Sequence, residues 1–133
     1  MKKLNTIQTR EKFNDVFAVD EPGPGGAHHR YEICKSGTAR INEADNVLQV
    51  SPEDLVGVVQ LQCGARKDPE ALTGAGNCDL LEIVRDQLIA FQSGPFNCAE
   101  NEHALKHVEA ALEWLNRRVE DRIARGVLGT EQK

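Results

Sequence analysis

The stretch FQSGPFNCAENEHALKHVEAALEWLNRRVEDRIARGVLGT, residues 91–130, decides how this chain is read. Leu105, Val108, Leu112, Leu115 and Val119 follow the alternating three-four spacing of a helical seam that packs against another helix. The next seam position is Arg122, and the neighbouring stripe Ala111, Leu115, Arg118, Arg122, Arg125 also turns from apolar to basic. A guanidinium where leucine belongs needs an anionic partner, because an unpaired buried charge is very costly. Few carboxylates share that face at that end, so the spacing points to an anion from outside the chain, a phosphate-bearing ligand. On this reading Arg122→Ala relieves a buried cation and costs the free protein little.

Working back from the seam, Ser93-Gly94-Pro95 separates it from an earlier amphipathic run with Leu81, Val84, Leu88 and Phe91 on one face. That helix is expected to start near Asn77 as its N-cap and to end with Gly94 as the left-handed residue beyond its last turn. The second is expected to start near Asn97, where Glu100 stands as in a capping box, or near Asn101, and to run to Gly126. Two helices joined by so short a turn form an antiparallel hairpin.

Residues 13–63 read as β-structure. Phe13–Asp20, His29–Cys34 and Val56–Cys63 carry strand-like alternation or β-branched runs, and a short strand at Asn46–Val50 is possible. Glu21–Ala27, rich in glycine and proline, is a turn; it lacks the Gly-Lys-Ser/Thr ending of a phosphate-binding loop. The expected fold class is therefore α+β, a small N-terminal antiparallel sheet followed by a C-terminal two-helix hairpin that oligomerises. The 133 residues are expected to form one domain, β-rich over about 10–65 and helical over about 77–126.

Composition bounds the function. A net charge of −5 argues against a sequence-independent binder of long nucleic acid, which is basic over a broad surface. The arginines form a local site suited to a small anion. No apolar run approaches a membrane span, and no apolar segment follows the charged start as in a secretory signal. Cys34, Cys63, Cys78 and Cys98 are widely spaced, so the chain reads as cytoplasmic with reduced thiols.

Each constellation has a bland reading beside a functional one. Arg117, Arg118, Arg122 and Arg125 either solvate a helix end and complement its dipole or clamp phosphates in the two-pronged geometry that lysine lacks. Phe91 is either core or a stacking surface for a base. His28 and His29 with Cys34 make no metal site, because adjacent histidines on a strand face opposite ways and no second cluster completes four ligands. Glu100, His103 and His107 lie close on one helix and read as a solvated face. No nucleophile, positioned base or cofactor motif stands out, so no catalytic residue, cofactor or metal is assigned.

The segments Phe91–Phe96, Asn101–Leu105, Leu112–Arg118 and above all Arg122-Ile123-Ala124-Arg125-Gly126-Val127-Leu128-Gly129-Thr130 resemble the phage Thoeris anti-defence 1 family. That family shares its helical hairpin with phage anti-CBASS proteins that sequester cyclic nucleotides. The resemblance covers residues 77–130, with a fainter match at Gly25–His28 and Gln60–Gly64. Two departures stand out: Asn77-Cys78 where Asn-Gly is expected, and Leu61 in place of an aromatic.

The resemblance implies a non-enzymatic sponge in the host cell cytoplasm. It would trap glycocyclic ADP-ribose signals made by bacterial TIR enzymes and so keep the host effector silent. It further implies that Phe91 stacks on adenine, that Asn101 makes a polar contact, and that Arg118 and Arg122 hold base and phosphates, with Arg66 as a loop arginine. Some relatives are hexamers that bind cyclic dinucleotides or trinucleotides at a second site, which would put Arg125 and Thr130 near it. Two other readings stand beside this one, a hydrolase of a nucleotide messenger using the His28/His29 region and a coiled-coil protein-binding adaptor. The expected assembly is a dimer or a hexamer.

Overall fold

In the N-terminal half, runs of valine, isoleucine and aromatic residues form strands, since such side chains fit a pleated, partly covered surface. The computed structural model describes residues 1–133. Its strands are β1 (Lys2–Lys3), β2 (Asn14–Ala18), β3 (Arg30–Lys35), β4 (Arg40–Asn42), β5 (Val47–Gln49) and β6 (Leu55–Gln60). The helices α1 (Asn77–Gln92) and α2 (Ala99–Ala124) follow. The chain divides into two units. One comprises Met1–Gly64 and Glu70–Gly74, the other Ala65–Pro69 and Ala75–Lys133.

The first unit is an antiparallel sheet in the order β1-β2-β3-β6, beside a separate β4-β5 ribbon. Phe17 at 2% exposure and Ala18 at 0% are successive residues of β2 and point to opposite faces, so this strand is covered on both sides. That is why its apolar alternation is imperfect in the sequence. Phe13, expected to begin the strand, lies just before it and is exposed, its carbonyl accepting the Ser36 N–H at 2.9 Å. Cys34 in β3 is fully buried opposite Asp15, and burial pushes its thiol pKa up.

The third expected strand is shorter than the sequence suggests. β6 stops at Gln60, and Cys63 makes only an isolated bridge to Leu72. The returning segment packs tightly at Gly74, where a Cβ would fall 2.4 Å from the Leu61 carbonyl carbon. Any side chain there meets backbone that cannot swing aside.

Asp15 ties this unit together from inside. It is 3% exposed, yet it holds three partners. Its carboxylate lies 3.4 Å from Lys3 Nζ and 3.5 Å from Lys12 Nζ, and accepts the Gly37 N–H at 2.9 Å. The bond from Gly37 holds the Asp15 carboxyl below its ordinary range; burial opposes this, and the two lysines add to it.

In the second unit, α1 begins after Gly76, whose N–H donates to the Asp79 carboxylate at 2.8 Å. The N-cap is thus Gly76 and not Asn77, and Asp79 returns a carboxylate to the helix start, where the dipole favours it. At the other end Ser93 caps the helix in a right-handed conformation, with its Oγ donating to Ile89 O at 2.8 Å. Gly94 does not take the left-handed conformation expected of it; the serine hydroxyl already satisfies a terminal carbonyl.

The turn is clamped by Gln92, whose side-chain oxygen accepts the Cys98 N–H at 3.0 Å. Cys98, not Asn97 or Asn101, caps α2, its Sγ accepting the Asn101 N–H. The two helices are joined near their middles by Arg85 Nε donating to Glu109 at 2.9 Å, with Glu82 also beside the guanidinium.

α2 ends in a Schellman motif. Gly126, at φ 71°, provides the left-handed residue, while the N–H of Val127 reaches Arg122 O and the N–H of Gly126 reaches Ile123 O, each at 3.0 Å. Arg122 is the buried charge that the seam foretold, at 6% exposure. Its Nη2 donates to the carbonyls of Val127 and Thr130, both at 3.0 Å. The guanidinium thus folds the C-terminal tail back over the helix end and buries Val127.

Two expectations follow. Asp15→Asn should lower stability at pH 7 by about 1–3 kcal/mol, the scale of hydrogen bonds to a charged group. A lowered folded-state pKa means that the stabilisation is present above the unfolded value of about 3.9 and fades as pH falls through the folded value. Urea titrations from pH 7 to below pH 3 should therefore show wild type and Asp15→Asn converging only at the acid end; parallel curves would deny the clamp. The second expectation corrects the sequence reading of Arg122, since its removal takes a charged donor from two carbonyls and leaves Val127 O only its bonds from Thr130. Arg122→Ala should cost the free protein about 1–3 kcal/mol. Amide exchange should quicken at Val127 and Thr130, and unchanged exchange there would contradict the tail lock.

Candidate ligand-binding site

Every residue assigned to the ligand site lies in the helical unit: Arg66 in its Ala65–Pro69 segment, the others in the hairpin and its tail. The hairpin geometry sorts them into two groups. Phe91 sits one residue from the end of α1 and Asn101 in the first turn of α2, so both stand at the hairpin's closed end. Arg118, Arg122, Arg125 and Thr130 stand at the far end of α2. Arg66 joins that far group through its neighbour Lys67, whose N–H donates to Gly129 O at 3.2 Å.

The separation is large. From Asn101 to Arg118 is 17 residues and to Arg122 is 21, or roughly 25 and 31 Å at 1.5 Å per residue. A ligand of dinucleotide size cannot touch both ends of one hairpin. The assigned residues therefore form two separate clusters in one chain, one aromatic and amide, the other cationic.

At the closed end Phe91 is not core. It is 41% exposed and meets Phe96 edge-to-face, with ring centroids 6.5 Å apart and planes at 85°. Phe96 is itself mostly exposed. Such a pair fixes one aromatic by the other while leaving π-surface in solvent. Asn101 is half-buried beside the cap that Cys98 provides.

At the far end the arginines differ in what they have left to give. Arg118 is exposed and has no hydrogen-bond or ion-pair partner in the chain. Arg122 commits only Nη2 to the tail carbonyls, so Nε and Nη1 keep their donors. Arg125 is engaged on both sides, with Nε donating to Asp121 at 2.9 Å and Nη1 to Lys133 O at 2.6 Å. Thr130 Oγ1 donates to Val127 O at 2.6 Å. Arg125 and Thr130 thus help to hold the tail, and Arg118 and Arg122 have the donors free for an anion.

The seam between the two ends is not finished within one chain. Leu105, Val108, Leu112, Leu115 and Val119 are all half-buried, and no apolar residue of either helix is fully buried. Ile83, Val84, Ile89 and Ile123 are exposed as well. Two helices alone cannot cover an apolar stripe on this scale.

Outside the hairpin, His28 is occupied. Its Nδ1 lies 2.7 Å from Asp20 O and 3.3 Å from the Asp20 carboxylate. Burial would raise the Asp20 carboxyl pKa, but backbone N–H bonds from His29 and Arg30 hold it below its ordinary range. Asp20 therefore acts as an acceptor that pins the turn, and His28 serves the same turn. No three side chains among His, Cys, Asp and Glu are grouped so as to hold a metal ion, and no helix is long and apolar enough to cross a membrane.

One feature of the hairpin escaped the sequence reading. Arg117 lies over the Trp114 ring at 4.5 Å from its centroid, and Trp114 is 67% exposed. The signal was present as tryptophan and arginine three residues apart on a helix, a spacing that places side chains together.

The same hairpin is found in known proteins. A family model described as "Acb2/Tad1, hairpin domain" matches residues 55–120. The chain is also 34% identical, over 143 aligned positions spanning the whole of both proteins, to "Thoeris anti-defense 1" of Bacillus phage SBSphiJ7. With a hairpin-domain match and 34% identity over its full length, the chain belongs to the Thoeris anti-defense 1 family.

Proposed function

We propose that this protein is an anti-defence sponge that binds glycocyclic ADP-ribose signals made by bacterial TIR enzymes and holds them without cleaving them. Family membership supports the anti-defence role. The observation that carries the binding mode is the division of the site into two ends of one hairpin, linked by a seam left half-buried. A second copy laid antiparallel along that seam covers the apolar stripe. It also sets the closed end of one hairpin beside the arginine end of the other.

In that arrangement the adenine stacks on Phe91, with Asn101 alongside it. Arg118 of the partner subunit and the free donors of Arg122 of the partner subunit meet the pyrophosphate, and Arg66 flanks the same end. Arg122 suits the task because its guanidinium is fixed by the tail before the ligand arrives, so little side-chain freedom is lost on binding. Its planar fork matches phosphate oxygens two at a time. Holding the ligand intact needs only these contacts: cations for the phosphates, a π-surface for the base and an amide for a polar edge.

Mixing variants tests the composite site. Phe91→Ala should weaken ligand binding by about 1–3 kcal/mol, the scale of one lost base–aromatic stack. Arg118→Ala should weaken it by a further measurable step of its own. When the two variants are unfolded together and refolded, the mixed dimers carry one doubly damaged site and one intact site. Calorimetry should then recover tight binding at a fraction of the sites that matches the mixed dimers. If no tight sites reappear, both groups act within one copy and the antiparallel arrangement is wrong.

A further inference from the structure

The face of α2 turned away from α1 carries a second aromatic and cationic arrangement. Glu109, Leu112, Glu113 and Asn116 line a groove with Glu82 and Arg85 of α1. Trp114 is two residues from both Leu112 and Asn116, so at about 100° per residue its side chain leaves the opposite side of the helix. It is 67% exposed, with the Arg117 guanidinium over one face of its ring at 4.5 Å. Arg118 follows one turn after Trp114 on the same face and is unpaired, while His107 stands two turns before it.

A guanidinium stacked on one side of an indole leaves the other side for a second flat partner. Arg117 also fixes the ring, so stacking costs little additional freedom. The unpaired Arg118 beside it supplies a charge-assisted contact for a phosphate. A planar base joined to a phosphate satisfies both groups together. Asp121, one turn beyond Arg117, is engaged by Arg125 at 2.9 Å, which leaves the charge of Arg118 for a small anion.

We propose that Trp114, with Arg117 behind it and Arg118 beside it, is a base-stacking contact for a purine nucleotide, distinct from the contact assigned to Phe91. The inference rests on the Trp114–Arg117 geometry and not on the composite site. Arg118 is the one residue the two share, so the tests turn on Trp114 and Arg117.

Trp114 is the only tryptophan in the sequence, so emission from the full-length protein reports on this face alone. Titration with ADP-ribose should quench it saturably, and ribose 5-phosphate at the same concentrations should not. Calorimetry should show Trp114→Ala, a change at an exposed position, weakening ADP-ribose by about five- to a hundredfold. Arg117→Ala should weaken it less. The quench should persist in Phe91→Ala; a quench that vanishes there would mean that Trp114 only senses the Phe91 site. Emission unmoved by ADP-ribose, whether or not calorimetry detects binding, would overturn the proposal. So would emission that is blue-shifted at high protein concentration and reddens on dilution without responding to ADP-ribose, because the occupant would then be a second copy of the chain.

Discussion

A single cation in an apolar seam organises the helical half of this molecule. Arg122 occupies the place where the heptad spacing calls for leucine, and at 6% exposure it cannot rely on water. The chain answers by turning at Gly126 and bringing the carbonyls of Val127 and Thr130 to one guanidinium nitrogen. That contact closes the end of α2, buries Val127 and draws Gly129 to the segment that carries Arg66. Carbonyl oxygens carry only partial charge, so the cation is solvated without being neutralised. A fixed, partly satisfied guanidinium keeps N–H donors for an anion.

The second constraint is length. A 26-residue helix is long enough to put the aromatic and amide groups at one end out of reach of the arginines at the other. Under the sponge reading, that separation makes assembly and binding one event. On that reading the apolar surface available for pairing lies along the same seam that separates the two clusters. A ligand bound across two copies would also strengthen their association, since anything that binds the assembled form favours it by mass action.

Much of this was legible in the sequence, for identifiable reasons. The α+β class, the hairpin and the buried arginine all rest on periodicity and on breaking residues, which act locally. Capping was less legible. Asn77 and Asn97 are better N-caps by preference than Gly76 and Cys98, but the Asp79 carboxylate and the Gln92 side chain satisfy the helix starts from positions that preference alone does not rank. The strand at Arg40–Asn42 carries only one apolar residue and pairs through a ribbon, so no alternation revealed it. The partners of Arg122 are not legible because backbone carbonyls, unlike carboxylates, leave no mark in composition. That the assigned residues fall at opposite ends of one hairpin is not legible either, because matching residues to roles says nothing about the distance between them.

A sponge captures its signal and keeps it whole. Purification of the protein from cells that contain an active Thoeris TIR enzyme, followed by denaturation and mass spectrometry of the released small molecules, tests this directly. The account predicts recovery of intact glycocyclic ADP-ribose in a fixed ratio to the protein, with the ratio falling sharply for Arg118→Ala. Recovery of a linear or hydrolysed product, or of no nucleotide above the level found with an unrelated protein, would contradict it.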